Sequence, residues 1–298
     1  MIRYGGLLAR GRQYVRSHRR VRILVVIGLP LLVLGLFFLI PLFLMFRLSL
    51  LEDIPPADFT FDNYLTIFTE GIYLDILWFT LYITVLTTVI VVAAGYALAY
   101  ATIYFSRQTT LLLLLIILPF WVNYIVRMYA WINILQTKGL IDWFESLLLG
   151  SDPSGYMFST EAVLVGFVYI WLPLSTLPMY ASIKAINDNL KEAAKDLGAG
   201  PIRTFLTVTL PQTKGGIIAG TILVFIPTFG AFITPSLLGG VDHLMIGMVI
   251  ETQFNQAGNW PLAAALGTVL TFVVVLFLVI AATLTGGLFE AVRGENGE

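Results

Sequence analysis

The sequence predicts an all-α membrane protein with six transmembrane helices, and three observations carry that reading. Of the 298 residues, 58% are hydrophobic and only 12% charged, and the mean hydropathy is +0.89. Ordinary soluble domains are about 25% charged, and a soluble fold of this length needs a polar exterior that these side chains cannot supply, so the exterior faces lipid. Six apolar stretches, 23–46, 76–104, 111–135, 162–182, 216–238 and 261–288, are each long enough to cross hydrocarbon ~30 Å thick as a helix. No run of short alternating segments of the barrel type competes with them.

A basic segment, 1–22, precedes the first stretch. The apolar run is longer than a signal-peptide core of ~7 to 15 residues and no small-x-small site follows it, so it reads as a retained anchor. Arg19 and Arg20 belong to a basic cytoplasmic flank rather than to a twin-arginine signal. In the loop 47–75, Phe59 to Phe68 alternate at helical spacing with Asp62 early, which predicts a short interfacial helix. The third stretch carries Arg127 among Phe120, Trp121, Tyr124, Tyr129 and Trp131. Its position near one end of the span predicts a guanidinium that snorkels to the interface; an anion or an acid of a partner chain is the functional alternative. The aromatic residues suit an interface belt, and any that face a pore could hold an ammonium. Pro173 and Pro178 in the fourth stretch and Pro227 and Pro235 in the fifth can break helices, and Gly216 with Gly220 marks close helix packing. A tail, 290–298, closes the chain.

Charge gives the orientation. Fourteen of the seventeen Lys and Arg residues fall in the N-terminal segment, in the loops after the second and fourth stretches and in the tail; only Arg47, Arg127 and Lys138 fall elsewhere. Basic residues concentrate on the cytoplasmic side, so both termini are expected there, in a multi-pass protein of the cell membrane. The opposite loops are acidic, with Glu52, Asp53, Asp58, Asp62, Glu70, Asp75, Asp142, Glu145 and Asp152, and their field attracts cations.

The loop 183–215 is the most informative segment. Asp188 or Asn189 is expected to cap a helix running through Ala194 and Leu197, Gly198 to stop it in a left-handed turn, and Gly200-Pro201 to open a second helix. Leu190, Ala193, Ala194 and Leu197 share one face, suited either to a groove on another protein or to lipid headgroups.

Glu192-Ala193-Ala194, Gly198 after three intervening residues, Val208 after nine more, and Leu210-Pro211 resemble the EAA loop of permease subunits of binding-protein-dependent ABC importers. Val208 stands where the usual pattern has Ile. Asp62-Asn63-Tyr64, Leu118-Pro119-Phe120-Trp121 with Arg127, Thr137-Lys138-Gly139 and Asn259-Trp260-Pro261 extend the resemblance, most closely to B-type permeases of spermidine/putrescine importers. The resemblance implies a type I importer architecture in which Glu192, Ala193, Ala194, Gly198, Leu210 and Pro211 receive the motion of ATPase subunits. It also implies partners: two ATPase subunits that hold ATP and Mg, a second related permease, an extracytoplasmic substrate-binding protein and the surrounding lipid. Polyamine is the expected cargo, with Trp121, Tyr124 and Arg127 as candidates on its path; an anion or another small solute is the alternative.

Other functions find little footing. Without Cys, and with His18 and His243 alone, there is no ground for a disulfide framework, thiolate chemistry or a histidine-built metal site. No GxxxxGK[ST] loop is present, and the GxG of Gly198 and Gly200 lies in a helix-ending turn, so no nucleotide or other cofactor of the chain's own is expected. The apolar stretches lack the paired Asp or Ser/His of an intramembrane protease and the buried carboxylates usual in an ion-coupled carrier. No nucleic-acid partner is expected.

Overall fold

A computed structural model describes residues 27–28, 30–150, 155–240 and 243–284. The expectations for the basic segment 1–22, the end of the last apolar stretch and the tail 290–298 fall outside those residues. Thirteen helices account for the described fold, and no strand longer than an isolated bridge occurs among the described residues.

Helix α1 (Pro30–Ser49) is apolar all round and long enough to cross a membrane. Its middle widens into a π turn over Gly35–Leu39, closed by the Ile40 N–H donating to the Gly35 carbonyl. Pro41 explains the widening: a proline ring clashes with the carbonyl four residues back and brings no N–H, and one extra residue in the preceding turn relieves both. The interfacial helix expected near Asp62 is present as α2 (Asp62–Thr69). Asn63 Nδ2 donates to the Ser49 and Leu51 carbonyls at 3.1 and 2.8 Å, and the Tyr64 and Ser49 hydroxyls lie 2.7 Å apart, so α2 satisfies the carbonyl end of α1.

Helix α3 (Gly71–Tyr104) has 34 residues and so runs roughly 51 Å, well beyond the ~30 Å of a hydrocarbon core. Ile76, Thr80, Ile83, Thr87 and Val91 recur every three or four residues along its buried face, continued by Gly95 and Ala99. Thr80 and Thr88 turn their hydroxyls back onto the Ile76 and Thr84 carbonyls at 2.7 Å, which lets these polar groups sit in an apolar interior.

The third apolar stretch does not form the single helix expected over 111–135. Helix α4 (Thr109–Ile117) tightens into a 3-10 turn, Leu118–Trp121, around Pro119, and α5 (Tyr124–Leu135) leaves at 95°. Val122 is extended, and Asn123 caps α5 by accepting from the Ile125 N–H at 2.9 Å. After Gly139, α6 (Leu140–Leu149) follows, held by Asp142, whose carboxylate accepts from the Lys138 and Gly155 N–H groups at 2.7 and 3.1 Å.

Helix α7 (Thr160–Lys184) is capped by Ser159 and lies along α3. The next stretch begins in the loop, with α8 (Asp188–Asp196), α9 (Pro201–Gln212) and α10 (Lys214–Phe229), and α9 meets α10 at 64°. Helix α10 stops at Gly230 instead of running to 238; a short α11 (Ile233–Leu238) restarts it, and α12 (Ile246–Asn255) and α13 (Trp260–Leu284) complete the order.

Helices α3, α7 and α10 form the centre, and glycines permit their approach. A Cβ on Gly95 would meet the Ser175 and Thr176 hydroxyls at 3.1 and 3.3 Å, and one on Gly220 would meet Met179 Cε at 2.8 Å. One on Gly216 would overlap the Ser182 side chain. The glycine pair 216 and 220 therefore packs helices, in line with its spacing. Helices α1 and α13 pair outside this centre, with Met45 against Gly267. Among the described residues, four helices are long and apolar enough to cross a membrane, and up to six crossings result if each bent pair is one span.

Candidate functional site: the 183–215 loop and a cleft between helix breaks

The loop is built as two short helices on the end of α3. Asn187, not Asp188 or Asn189, caps α8: its side-chain oxygen accepts from the Asn189 N–H at 3.0 Å, which leaves Asp188 in the first turn, where the helix dipole favours a carboxylate. Asp188 pairs with Lys191 at 2.9 Å, and the Lys191 ammonium lies 4.9 Å from the centre of the Tyr104 ring at the end of α3. Partial burial alone would lower the Lys191 pKa, but the Tyr104 phenol and the Asp188 carboxylate outweigh it and hold the ammonium above its usual 10.5.

Gly198 ends α8 with φ +80°, and the Gly198 and Ala199 N–H groups close back on the Lys195 and Ala194 carbonyls at 2.8 and 2.9 Å. A Cβ there would meet nothing within 4 Å, so the position needs glycine for its backbone and not for space. Pro201 opens α9. Leu197 and Ile202, 88% and 76% exposed, stand out of the loop with Glu192 and Ala193, while Ala194 is half-buried. This puts an acid, a small residue and two large apolar groups on one projecting corner.

Leu210-Pro211 sets the geometry behind the corner. As in α1, the proline stands two residues past a π turn, here Phe205–Thr209, closed by the Leu210 N–H on the Phe205 carbonyl. Thr213, fully buried at the bend into α10, directs its hydroxyl at the Thr209 and Leu210 carbonyls at 3.0 and 3.1 Å. Tyr96 of α3 meets the same hydroxyl, and Phe205 packs edge-on to Tyr96 and Tyr100 at 5.9 and 5.5 Å.

The second feature is a cleft of about 360 Å³ between the break at Val122-Asn123 and the break at Gly230–Phe232, lined by Asn123, Tyr124, Trp171, Pro227 and Phe232 among others. Of the residues expected on a path, Tyr124 lines it; Trp121 is 82% exposed and outside its walls. Trp171 and Phe232 were not expected, although a glycine following Pro227 in an apolar stretch is a signal for a broken helix. Arg127 does not snorkel: it is 7% exposed, with its guanidinium carbon 5.4 and 5.8 Å from the Phe120 and Tyr124 ring centres. The cause is the break, which swings α5 across the fold so that Arg127 is no longer at the end of a straight span. The Tyr124 hydroxyl is bonded to Thr234.

Residues 93–289, which include the whole loop, match the family model of the binding-protein-dependent transport system inner membrane component. The chain belongs to this family. It is a permease subunit of an ABC importer, a multi-pass membrane protein. Relatives agree: this permease is 39% identical over 225 residues to the spermidine/putrescine transport system permease protein PotB of Escherichia coli K12, covering 74% of this chain and 81% of that one. It is 35% identical over 221 residues to the PotB of Haemophilus influenzae, covering 74% and 77%. A crystal structure of a bacterial ABC transporter that imports the acidic polysaccharide alginate superimposes with a TM-score of 0.73 over 92% of this chain and 98% of the other, at 18% identity. A second, of the alginate transporter with a pentasaccharide-bound periplasmic protein, gives 0.74 over 91% and 96% at 17%. Those two likenesses speak to the fold of the permease.

Proposed function

We propose that this permease carries polyamines, spermidine or putrescine, inward across the cell membrane, with both termini in the cytoplasm and with ATP and Mg bound by partner subunits. The observation that carries the substrate is the likeness to PotB, 39% identical over 74% of this chain. The cleft is compatible in its chemistry: Tyr124, Trp171 and Phe232 offer aromatic surface, which attracts an ammonium by up to about 2 kcal/mol per desolvated contact.

The 183–215 loop couples the permease to two ATPase subunits. Glu192, Ala193, Leu197 and Ile202 stand exposed, Ala194 admits close approach, Gly198 fixes the angle between α8 and α9, and the turn set by Leu210-Pro211 hands the motion to α10. A second related permease completes the path, and a substrate-binding protein delivers cargo on the outer side.

Purification of the tagged chain in mild detergent, coexpressed with the subunits encoded beside it, tests this reading. ATPase subunits and a second permease should co-purify, and the binding protein loaded with spermidine should raise ATP hydrolysis. A chain that purifies alone and takes up solute on an ion gradient would be a secondary carrier.

A further inference from the structure

We infer that Glu251, with the stacked Phe254 and Trp260 rings beside it, forms an alkylammonium site at the outer mouth of the cleft, where cargo is received before it meets Tyr124. The inference rests on the polyamine reading above and deepens it.

Helix α12 places the carboxylate. Its first turn is fixed inside the fold, where the Ile246 N–H donates to the buried Thr80 hydroxyl at 2.9 Å. Gly247 packs so closely on the Gly230 and Ala231 carbonyls that a Cβ there would meet them at 2.8 and 2.6 Å. Gly230 and Ala231 line the cleft. Four residues along a helix return to the same face about 6 Å further on, so Glu251 stands one turn beyond the cleft wall. In the orientation proposed above, that turn leads to the outer side, where α13 begins.

The surroundings have the chemistry of a cation site. No Lys or Arg occurs between Lys214 and Arg293, and the ion pair found among the described residues, Lys191 with Asp188, lies in the 183–215 loop. The Glu251 carboxylate accepts from its neighbour Asn255, whose Nδ2 lies 3.2 Å from Oε1. An ionised carboxylate has about four acceptor positions, so most of its capacity stays open. Glu251 is half-buried rather than enclosed, which keeps it within reach of a solute. Phe254, three residues on, stacks on Trp260 with ring centres 4.7 Å apart, and both rings keep exposed surface. A carboxylate beside open aromatic faces holds an ammonium twice, by a charge-assisted hydrogen bond and by cation-π attraction, and it repels an anion. The ammonium of a phosphatidylethanolamine headgroup shares this chemistry, and the test separates the two sources.

The test uses the assembled importer with its binding protein and reads spermidine uptake together with capture of the loaded binding protein. Glu251→Gln should lower uptake about ten-fold or more, the loss expected on removing a hydrogen bond to a charged group, while capture is kept. Glu251→Asp should keep a substantial part of uptake, and Trp260→Leu should lose several-fold. The chain has no Cys, so Asn255→Cys adds its one thiol beside the carboxylate. In phosphatidylglycerol vesicles a cationic thiol reagent should label this thiol faster than an anionic one of the same size, and spermidine should slow the labelling; Glu251→Gln should remove both effects. Should the uptake variants fail to assemble, the labelling decides. Wild-type uptake in Glu251→Gln, or labelling indifferent to spermidine, would overturn this inference and leave the polyamine reading standing. A fall in capture that matches the fall in uptake would make Glu251 a docking contact and overturn it too. Labelling slowed by added phosphatidylethanolamine and not by spermidine would overturn it in favour of a headgroup site. A wild-type importer that takes up no spermidine would overturn the parent reading and this inference with it.

Discussion

The Tyr96 hydroxyl lies 3.0 Å from the Thr213 hydroxyl, joining α3 to the residue at which α9 bends by 64° into α10. Thr213 gives its proton to a carbonyl of its own turn, so Tyr96 is the donor in this pair. One hydrogen bond thus holds the hinge of the 183–215 loop to the longest helix of the bundle.

Tyr96→Phe keeps the ring packed on Phe205 and removes only that bond. A neutral hydrogen bond contributes about 1 kcal/mol net, roughly a five-fold change in an equilibrium. The variant should insert normally, and ATP hydrolysis stimulated by loaded binding protein should fall by about that factor in the purified importer. Unchanged stimulation would remove the hinge role from this contact.

Gly198→Val should leave the membrane helices intact and lose both transport and retention of ATPase subunits. A β-branched residue enters the left-handed region at a cost of about 1 to 2 kcal/mol, and no steric clash confounds the effect. Gly198→Asn should be milder, because Asn tolerates that region. Equal loss in the two variants, measured by pull-down, would mean that backbone conformation is not what matters there.

Adjacent glycines should behave oppositely. Gly216→Ala places a methyl on Ser182 and the Pro178 carbonyl, whereas Gly215→Ala meets nothing within 4 Å. Overpacking of this kind costs about 1 to 3 kcal/mol, and Gly→Ala in an open helix position gains up to about 1 kcal/mol. Thermal denaturation in detergent should show Gly216→Ala destabilised and Gly215→Ala unchanged or slightly stabilised.

The Lys191 contact should not make coupling pH-dependent in the neutral range. Its ammonium is held above 10.5, so whatever the contact contributes is fully present below that value and is lost only as pH rises through the higher folded value. Lys191→Gln should therefore alter ATPase retention by the same factor at mildly acidic and mildly basic pH.

Cysteines introduced at Asp58 and Asp196, both exposed, test orientation. An impermeant thiol reagent applied to sealed cells should label the first and not the second. Labelling at 196 would reverse the topology.

Composition and apolar run length made the helical membrane fold legible, because lipid leaves few alternatives to a helix. The loop was legible too, as Gly198 and Gly200-Pro201 act through local backbone rules that need no tertiary context. The breaks at Val122-Asn123 and Gly230–Phe232 were not: an apolar run reads the same whether its helix is straight or bent by 95°, and Pro119 could equally have produced a kink. The error at Arg127 follows from that one, since depth along a straight helix no longer describes a residue on a reoriented one. The cap moved by one residue to Asn187 because Asn187, Asp188 and Asn189 are all competent caps and only the path of α7 chooses among them. Trp171 became a cleft residue through the break in α10, a feature of packing rather than of its own neighbours in sequence.

The most direct measurement is ATP-dependent uptake of radiolabelled spermidine by cells lacking their other polyamine importers and expressing this permease with its ATPase, second permease and binding protein. Uptake should depend on the permease, be competed by putrescine and be indifferent to sulfate and phosphate. Tyr124→Leu and Trp171→Leu should each weaken it, by up to about thirty-fold for a desolvated ring contact. Uptake competed by an oxyanion, with both aromatic variants at wild-type level, would contradict the account and point to an anion as the cargo.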